Sequence, residues 1–432
     1  MNKKKDKNIV FLSIIVIITL TMFLMSFDSL LQIKLNNITY FVILSIVIFL
    51  IFLSNNFILL NCTSLFTIFY IFFIGIGPII LTNKNYNYFF NAKIVILISL
   101  ILFFIGNITM LIFSVHMSNK KYLYNCETKY LIKKRKKLAV WILIVSIVFW
   151  IKFIYKNISI LFNDMENGRV LAMQGNGATI YFVYLSMLAV WILFDGYINY
   201  KNIKRKSITL IILFTTFMLF TLGFRSRIAE LFLVMIIIYN NKYRLPLRKL
   251  INFGLIGVLS ILGLYYIRMI ISGENSVTLK YLLENIMEVN NINLSYIFRR
   301  FPNYVEYQNG YTYIINFLML KPGPDIDFTL WLKEALNIKF NGAGVTPTII
   351  GEFYINFGYV GIYIGMFIIG LLCKVVDKTT KKSRSNIVNS IITLYVCRAI
   401  TGGITNNLIL FLWFIIIYFI IEKILLKIKV KI

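Results

Sequence analysis

The residues best suited to chemistry lie where a polar segment leads into a long apolar run, between Gly342 and Gly358. Pro347 suits the first turn of a helix. Glu352 follows little more than one turn later, and Asn356 lies four residues further along the same face. A carboxylate at shallow depth in an apolar helix is costly unless it faces a cavity or a partner, so Glu352 is a candidate catalytic group. The alternative is that Glu352 pairs with an arginine of a neighbouring helix.

Arginines at or near the ends of apolar runs form the second set of candidates. Guanidinium groups bind phosphate oxygens through paired hydrogen bonds, so a group of them at one end of a helix bundle predicts a diphosphate site. The set comprises Arg169, Arg225, Arg227, Arg299, Arg300 and Arg398. Anchoring in lipid headgroups or pairing with carboxylates is the alternative, and Glu230 stands one turn after Arg227. Arg398 lies inside an apolar run, where it either binds a ligand or holds helices together.

Several kinds of active site are excluded by composition. The chain has one histidine, His116, at the junction of an apolar run and a basic segment. Neither a histidine metal site nor a Ser-His-Asp triad can be built from it. The four cysteines show no paired or metal-ligand spacing, and we expect them to be inert. No metal and no cofactor is therefore expected.

The elements that must position these residues are membrane helices. Hydrophobic residues make up 59% of the chain and charged residues 14%, and the mean hydropathy is +0.80. A spanning helix needs about 20 mostly apolar residues. The runs of suitable character are Ile9–Phe27, Ile38–Leu53, Phe57–Leu81, Ile94–Val115, Leu138–Ile154, Ile180–Phe194, Ile208–Leu222, Ile228–Tyr239, Leu250–Ile271, Thr348–Cys373, Ile387–Ile400 and Ile404–Ile421. We predict an all-α polytopic membrane protein of about twelve transmembrane helices, forming one integral membrane domain over residues 1–432.

The placement of the positive charge orients this bundle. The formal net charge of +28 is concentrated in every second break between apolar runs. Lys and Arg are retained on the cytoplasmic side, so these breaks and both termini are predicted to be cytoplasmic. The basic breaks are 120–137, 201–206, 242–249, 374–384 and 423–431. Because the charge follows the loops, it indicates membrane topology and gives no support to nucleic-acid binding.

The segment 272–346 breaks this pattern, because its acidic and basic residues nearly balance. We therefore predict one long extracytoplasmic loop. Apolar residues recur at helical spacing from Leu279 to Val289, which predicts an amphipathic helix on the membrane surface or over a pocket. The apolar run from Tyr311 to Leu320 is too short to span.

Two stretches carry a resemblance to a known family. The sequence from Gly344 to Gly361 (GVTPTIIGEFYINFGYVG), preceded by Arg299-Arg300-Phe-Pro, resembles the oligosaccharide repeat-unit polymerases, also called O-antigen or capsular polysaccharide polymerases. The resemblance implies transfer of a growing glycan from polyprenyl (undecaprenyl) diphosphate to the non-reducing-end sugar of a fresh lipid-linked repeat unit. It implies this reaction on the outer face of the bacterial cytoplasmic membrane, in the synthesis of O-antigen, capsule or exopolysaccharide.

The arginines and Glu352, without any metal-ligand cluster, suggest how such a reaction would proceed. The expectation is a metal-independent glycosyltransferase in which Arg225, Arg227, Arg299 or Arg300 binds the diphosphate. Glu352 would accept the proton of the attacking hydroxyl or stabilise the oxocarbenium-like centre. Further substrate contacts are expected from Arg169, Asn356 and Arg398. The expected partners are the lipid-linked oligosaccharides and membrane lipid, with a chain-length regulator and a flippase as further candidates.

A transporter is the alternative reading: a flippase for lipid-linked oligosaccharides or a polysaccharide exporter. Twelve helices with both ends inside also suit a transporter. Against this alternative, the sequence shows no matching halves and no paired broken helices, and transporters seldom have an outer loop of about 75 residues. An acyltransferase is a weaker alternative, since no usable histidine is present.

Overall fold

The computed structural model describes residues 36–83, 92–116, 129–163, 177–201, 203–222, 225–246, 248–250, 252, 263, 279–318, 327–339, 344–382 and 387–429. All regular secondary structure in these ranges is helical. The helices are α1 (Asn37–Ser54), α2 (Cys62–Tyr70), α3 (Gly77–Asn83), α4 (Ala92–His116), α5 (Lys129–Asn163), α6 (Gly177–Tyr200), α7 (Arg205–Thr221), α8 (Arg225–Tyr243), α9 (Leu279–Arg300), α10 (Thr312–Leu318), α11 (Phe328–Ala335), α12 (Thr348–Lys382), α13 (Ile387–Gly402) and α14 (Thr405–Lys429). A π-helical turn, Ile71–Gly75, joins α2 to α3.

Seven helical stretches within the described ranges are long and apolar enough to cross a membrane: Asn37–Ser54, Cys62–Leu81, Ala92–Phe113, Ile132–Asn157, Thr179–Tyr200, Thr348–Thr380 and Thr405–Glu422. The predicted count of about twelve is not confirmed. Ten of the predicted runs coincide with described helices, but α7 and α13 are short, with 17 and 16 residues, and α8 carries several charged and polar residues. The run Ile9–Phe27 and nearly all of Leu250–Ile271 lie outside the described residues.

The bundle has two packed regions that meet at α13. One joins α4, α9 and α12, and the other joins α5, α6 and α8 with α14. Helices α4 and α12 approach closely at Gly106 and Gly370, where an added Cβ would collide with the backbone of the other helix. Small residues allow such close contact between helices that have no hydrophobic drive to associate in lipid.

Helix α12 is the longest element at the centre, and it is kinked at Phe357 and Gly358. Gly358 has a φ of +62°, which favours glycine. In a straight helix the carbonyls of Ile355 and Asn356 would bond within the helix; here they accept from Gln308 N at 2.9 Å and Asn309 N at 3.0 Å. The segment after α9 thus satisfies the backbone groups that the kink frees.

Two carboxylates of α12 lie at the starts of other helices. Glu352 contacts the start of α14, and Asp377 contacts the start of α2. Asp377 accepts from Cys62 N at 2.6 Å and from the Thr63 hydroxyl at 2.6 Å. Negative groups are favourable there because the first N–H groups of a helix lack partners within it. We call the end of the bundle at Glu352 the site end and the end at Asp377 the opposite end.

The long segment between α8 and α12 forms one helix of 22 residues, α9, and two short helices, α10 and α11, where it is described. Helix α9 (Leu279–Arg300) contains the predicted amphipathic stretch. It packs on α12, on the π-helical turn and on α3. Helix α10 (Thr312–Leu318) is too short to cross a membrane, as the sequence predicted, and α11 is also too short. The position of this segment relative to a membrane stays a prediction.

Candidate functional site

The site is built around the turn between α13 and α14, which runs from Gly402 to Thr405. Gly403 has a φ of +75°, and its N–H donates to Ala399 O at 2.9 Å. A Cβ at this position would overlap the Glu352 carboxylate and Pro347. Glycine is therefore required both by the backbone conformation and by the close approach of α12.

The Glu352 carboxylate, which is fully buried, holds this turn. Its Oε2 accepts from Ile404 N at 2.5 Å, and both oxygens accept from Thr405 N at 3.2 Å. Oε1 also accepts from the Thr405 hydroxyl and from the Thr312 hydroxyl at 3.5 Å. Within the described part of the chain no arginine pairs with Glu352, so the alternative of an ion pair is not found, and Glu352 instead accepts hydrogen bonds at the start of α14.

Asn356 extends this network toward the kink of α12. Its Nδ2 donates to Thr312 Oγ1 at 2.6 Å and to Glu352 O at 2.9 Å, while its Oδ1 accepts from Gly310 N at 2.9 Å. Burial raises the pKa of the neighbouring Tyr313 phenol, and the charge of Glu352 acts in the same direction. Glu352 and Asn356 thus share a face, as the spacing predicted, and Thr312 links their side chains.

A cluster of two arginines and one glutamate lies beside the same turn. Arg227 Nη1 donates to Glu230 Oε2 at 2.8 Å, and Arg227 Nη2 donates to Asn407 Oδ1 at 3.2 Å. Arg398 Nε lies 3.0 Å from Glu230 Oε1. The Arg227 guanidinium also lies over the Tyr184 ring, 5.0 Å from its centroid, which adds a cation–π contact. We call Arg227, Glu230 and Arg398 the arginine cluster.

The arginine cluster has a net charge of +1 and donor capacity to spare. Arg227 Nε and Asn407 Nδ2 are buried donors without a hydrogen-bond partner in the described structure. Arg398 Nε and Glu230 Oε1 form an ion pair at 3.0 Å, but neither atom makes a hydrogen bond within the described ranges. The Arg398 side chain is 30% exposed, so the cluster is open on one side. Unpaired buried donors are costly. An anion bound here would satisfy them and balance the charge.

The predicted site residues separate into three groups. Glu352, Asn356, Arg227 and Arg398 come together around the turn, since Glu352 binds Thr405 and Arg227 binds Asn407 two residues later. Arg299 and Arg300, at the end of α9, line a different cavity of about 570 Å³ with Tyr296, Tyr304 and Lys339. Arg169 lies outside the described residues; Arg225 begins α8, and its side chain is not described.

Three contributors to the site were not predicted from the sequence. Thr312 and Thr405 bind Glu352 through their hydroxyls, and Tyr184 stacks on Arg227. A sequence signal was available for Thr405, since a threonine shortly after a glycine pair and shortly before an apolar run is typical of a helix start. No sequence pattern indicated Thr312 or Tyr184, because their roles depend on how distant segments pack. In the described ranges no three His, Cys, Asp or Glu residues lie together as a metal site would need.

The described residues define the class of apolar, multi-helix proteins, with seven helical stretches long and apolar enough to cross a membrane. The comparisons give the family. The chain belongs to the O-antigen polysaccharide polymerase Wzy family, whose model matches residues 9–429. No curated protein and no solved structure gives a significant match. Membership confirms the resemblance found in the sequence and gives the chain a polysaccharide polymerase role.

Proposed function

We propose that the chain is an integral protein of the bacterial cytoplasmic membrane that polymerises polyprenyl-diphosphate-linked oligosaccharide repeat units on the outer face. The observation that carries the substrate class is the arginine cluster, in which Arg227 and Arg398 share one carboxylate and keep unpaired donors. A diphosphate is the anionic group of such a substrate, and two guanidinium forks suit its oxygens.

In the proposed reaction, a hydroxyl of the acceptor's non-reducing-end sugar attacks the anomeric carbon of the donor glycan. The bond from that carbon to the diphosphate oxygen breaks, and the polyprenyl diphosphate leaves with the electron pair. The hydroxyl proton passes to a base. Arg227 and Arg398 stabilise the charge that develops on the leaving diphosphate, and one such donor contributes about 3 to 4 kcal/mol in a preorganised site. The scheme uses neither a metal nor a nucleotide sugar.

Glu352 has two proposed roles that an experiment can separate. As the sequence predicts, it could accept the hydroxyl proton, which requires the turn between α13 and α14 to move and free an oxygen. The contacts support a positioning role, because both oxygens hold the turn whose next residues reach Arg227. In that role Glu352 fixes Asn407, and through it the orientation of the arginine cluster.

The other predicted residues keep substrate-binding roles in this proposal. Arg299 and Arg300 line a separate cavity with aromatic side chains, and the Arg300 guanidinium lies 5.0 Å from the centroid of the Tyr304 ring. Such a surface suits sugars or phosphates of a lipid-linked glycan. Arg169, Arg225 and Asn356 stay predicted contacts. A chain-length regulator and a flippase are proposed protein partners.

The test uses a polymerase-deficient strain that makes the cognate lipid-linked repeat unit. The parent chain should restore long polymer, seen as a ladder on a gel, and the variant with Arg227→Ala and Arg398→Ala should accumulate single units on the outer face. Arg135→Ala, which removes an arginine paired with Glu422 at the opposite end, is the matched control. Accumulation of units facing the cytoplasm would contradict the polymerase and support the flippase alternative.

A further inference from the structure

A second cavity, of about 540 Å³, lies at the opposite end of the bundle from the arginine cluster. Asp377 lines it, and 25 residues of α12 separate Asp377 from Glu352. At 1.5 Å per residue that length of helix is about 37 Å, somewhat less across the kink. The walls come from the segment between α1 and α2, the end of α8, the end of α12 and the start of α13. This cavity is independent of the proposed polymerase site.

The lining combines neutral polar groups with apolar side chains. Four asparagines face the cavity, together with two threonines. The polar residues are Asn61, Asn240, Asn241, Asn389, Thr380 and Thr393. Asn241 Nδ2 is a buried donor without a partner in the described structure. Amides and hydroxyls both donate and accept, so they recognise ligand hydroxyls well.

The lining holds one acidic and one basic side chain, Asp377 and Arg244. Asp377 does not offer a free carboxylate, since Cys62 N, Thr63 N and the Thr63 hydroxyl bind its oxygens. Arg244 is the one cationic side chain among the described lining residues, and it lies exposed at the edge of the cavity. One guanidinium beside neutral amides matches a single phosphodiester better than a diphosphate.

Two lining residues adopt backbone conformations that cost free energy. Phe57 has a φ of +53° and Arg244 a φ of +42°. The turn that ends α8 is fixed by bonds from Arg244 N to Asn240 O at 2.8 Å and from Leu245 N to Asn240 Oδ1 at 2.9 Å. Glycine would form such a turn at lower cost, by about 1 kcal/mol. Strained residues persist where their side chains serve a site, and here they supply a cation and an exposed ring.

We propose that this cavity binds the headgroup of an anionic phospholipid that carries free hydroxyls, as a glycerol headgroup does. Arg244 contacts the phosphate, and the amides of Asn241 and its neighbours contact the hydroxyls. The apolar part of the lining, with Phe57 and Leu60, contacts the region where the headgroup joins the acyl chains.

The test measures thermal unfolding of the full chain in phosphatidylcholine nanodiscs with and without phosphatidylglycerol. Phosphatidylglycerol should raise the unfolding temperature of the parent and of Arg248→Ala, which removes an exposed charge from the same basic segment without lining the cavity. The increase should be lost in Arg244→Gly, a change that keeps the turn favourable. An equal response from Arg244→Gly and Arg248→Ala would overturn the proposal.

Two further arms separate the headgroup from simpler ligands. Phosphatidic acid, which has the phosphate without the hydroxyls, should stabilise the parent less than phosphatidylglycerol does, and Asn241→Leu should remove that difference. Soluble glycerophosphoglycerol should give little stabilisation because it lacks the acyl chains. Stabilisation by the soluble compound equal to that by the lipid, or by phosphatidic acid equal to that by phosphatidylglycerol, would contradict the assignment.

Discussion

Replacing Glu352 by glutamine tests how the site is held together. The carboxylate accepts from Ile404 N, from Thr405 N and from two hydroxyls, and it lies at the start of α14. Glutamine keeps one acceptor oxygen but turns an amide NH₂ toward the remaining backbone donor. We expect the variant to insert normally, to unfold at lower temperature, and to yield single repeats in place of long polymer.

The magnitude follows from the contacts that are lost. A hydrogen bond to a charged group contributes about 1.5 to 3 kcal/mol net, and a negative charge at a helix start about 0.3 to 2 kcal/mol. Loss of one such bond and of the charge gives roughly 2 to 5 kcal/mol of destabilisation. Glu422→Gln is the matched control: Glu422 lies near the other end of α14 and pairs with Arg135 at 2.7 Å, outside the site. It should leave polymer length unchanged.

Thr405→Val separates the two roles of Glu352, since it removes a hydroxyl that binds the carboxylate and keeps the side-chain shape. If Glu352 positions the turn, Thr405→Val shortens the polymer and couples energetically to Glu352→Gln by about 0.5 to 3 kcal/mol. If Glu352 is the base, Thr405→Val leaves polymer length intact while Glu352→Gln abolishes it. Long polymer and an unchanged unfolding temperature in Glu352→Gln would refute both roles.

Three other substitutions have expected outcomes. Arg227→Lys keeps the charge but loses the fork that joins Glu230 and Asn407, so polymer length in the complemented strain should fall, while Arg135→Lys should leave it unchanged. Gly403→Ala should lower the unfolding temperature and shorten the polymer, because the added Cβ would overlap the Glu352 carboxylate and because the positive φ disfavours alanine. Polymer of normal length from this variant would contradict the close contact between Glu352 and the turn. Gly358→Ala should destabilise by about 1 kcal/mol or more through its positive φ, and an unchanged unfolding temperature would argue against the kink.

Much of the fold could be predicted from hydropathy because each apolar run must satisfy its backbone internally. The run Ile38–Leu53 coincides with α1 almost to the residue, and Ile94–Val115 with α4. The run Phe57–Leu81 was predicted as one helix, yet it forms α2, a π-helical turn and α3. Hydropathy does not report such breaks, since they depend on neighbours such as Asn291, which donates to Phe73 O at 3.4 Å.

The kink of α12 shows the same limit. Gly358, Gly361 and Gly365 share one face of the helix, a pattern that by itself favours close packing against another helix. In the structure, Gly358 bends the helix, and Gly361 and Gly365 lie against Phe353 of the same helix. The sequence shows that small residues are needed but not which surface approaches them.

For the site, the sequence identified the charged residues and not their neighbours. Glu352 and Arg398 stood out because charge within an apolar run is costly, and Arg227 because a guanidinium at the end of such a run suits phosphate. Their meeting at one turn depends on the packing of α8, α12, α13 and α14, which no local pattern encodes. Arg299 and Arg300 were grouped with them, but they line a different cavity at the end of α9.

The two carboxylates of α12 give the chain a fixed internal length. Glu352 and Asp377 bind the starts of α14 and α2 at opposite ends of the bundle. The length of the stretch of α12 between them therefore sets the distance between the starts of these two helices. Inserting one residue into that stretch would turn one carboxylate by about 100° relative to the other and release one of the two helices. Inserting a whole turn would keep the direction of both carboxylates but move one of them about 5.4 Å along the axis, so we expect the length of this stretch to be invariant.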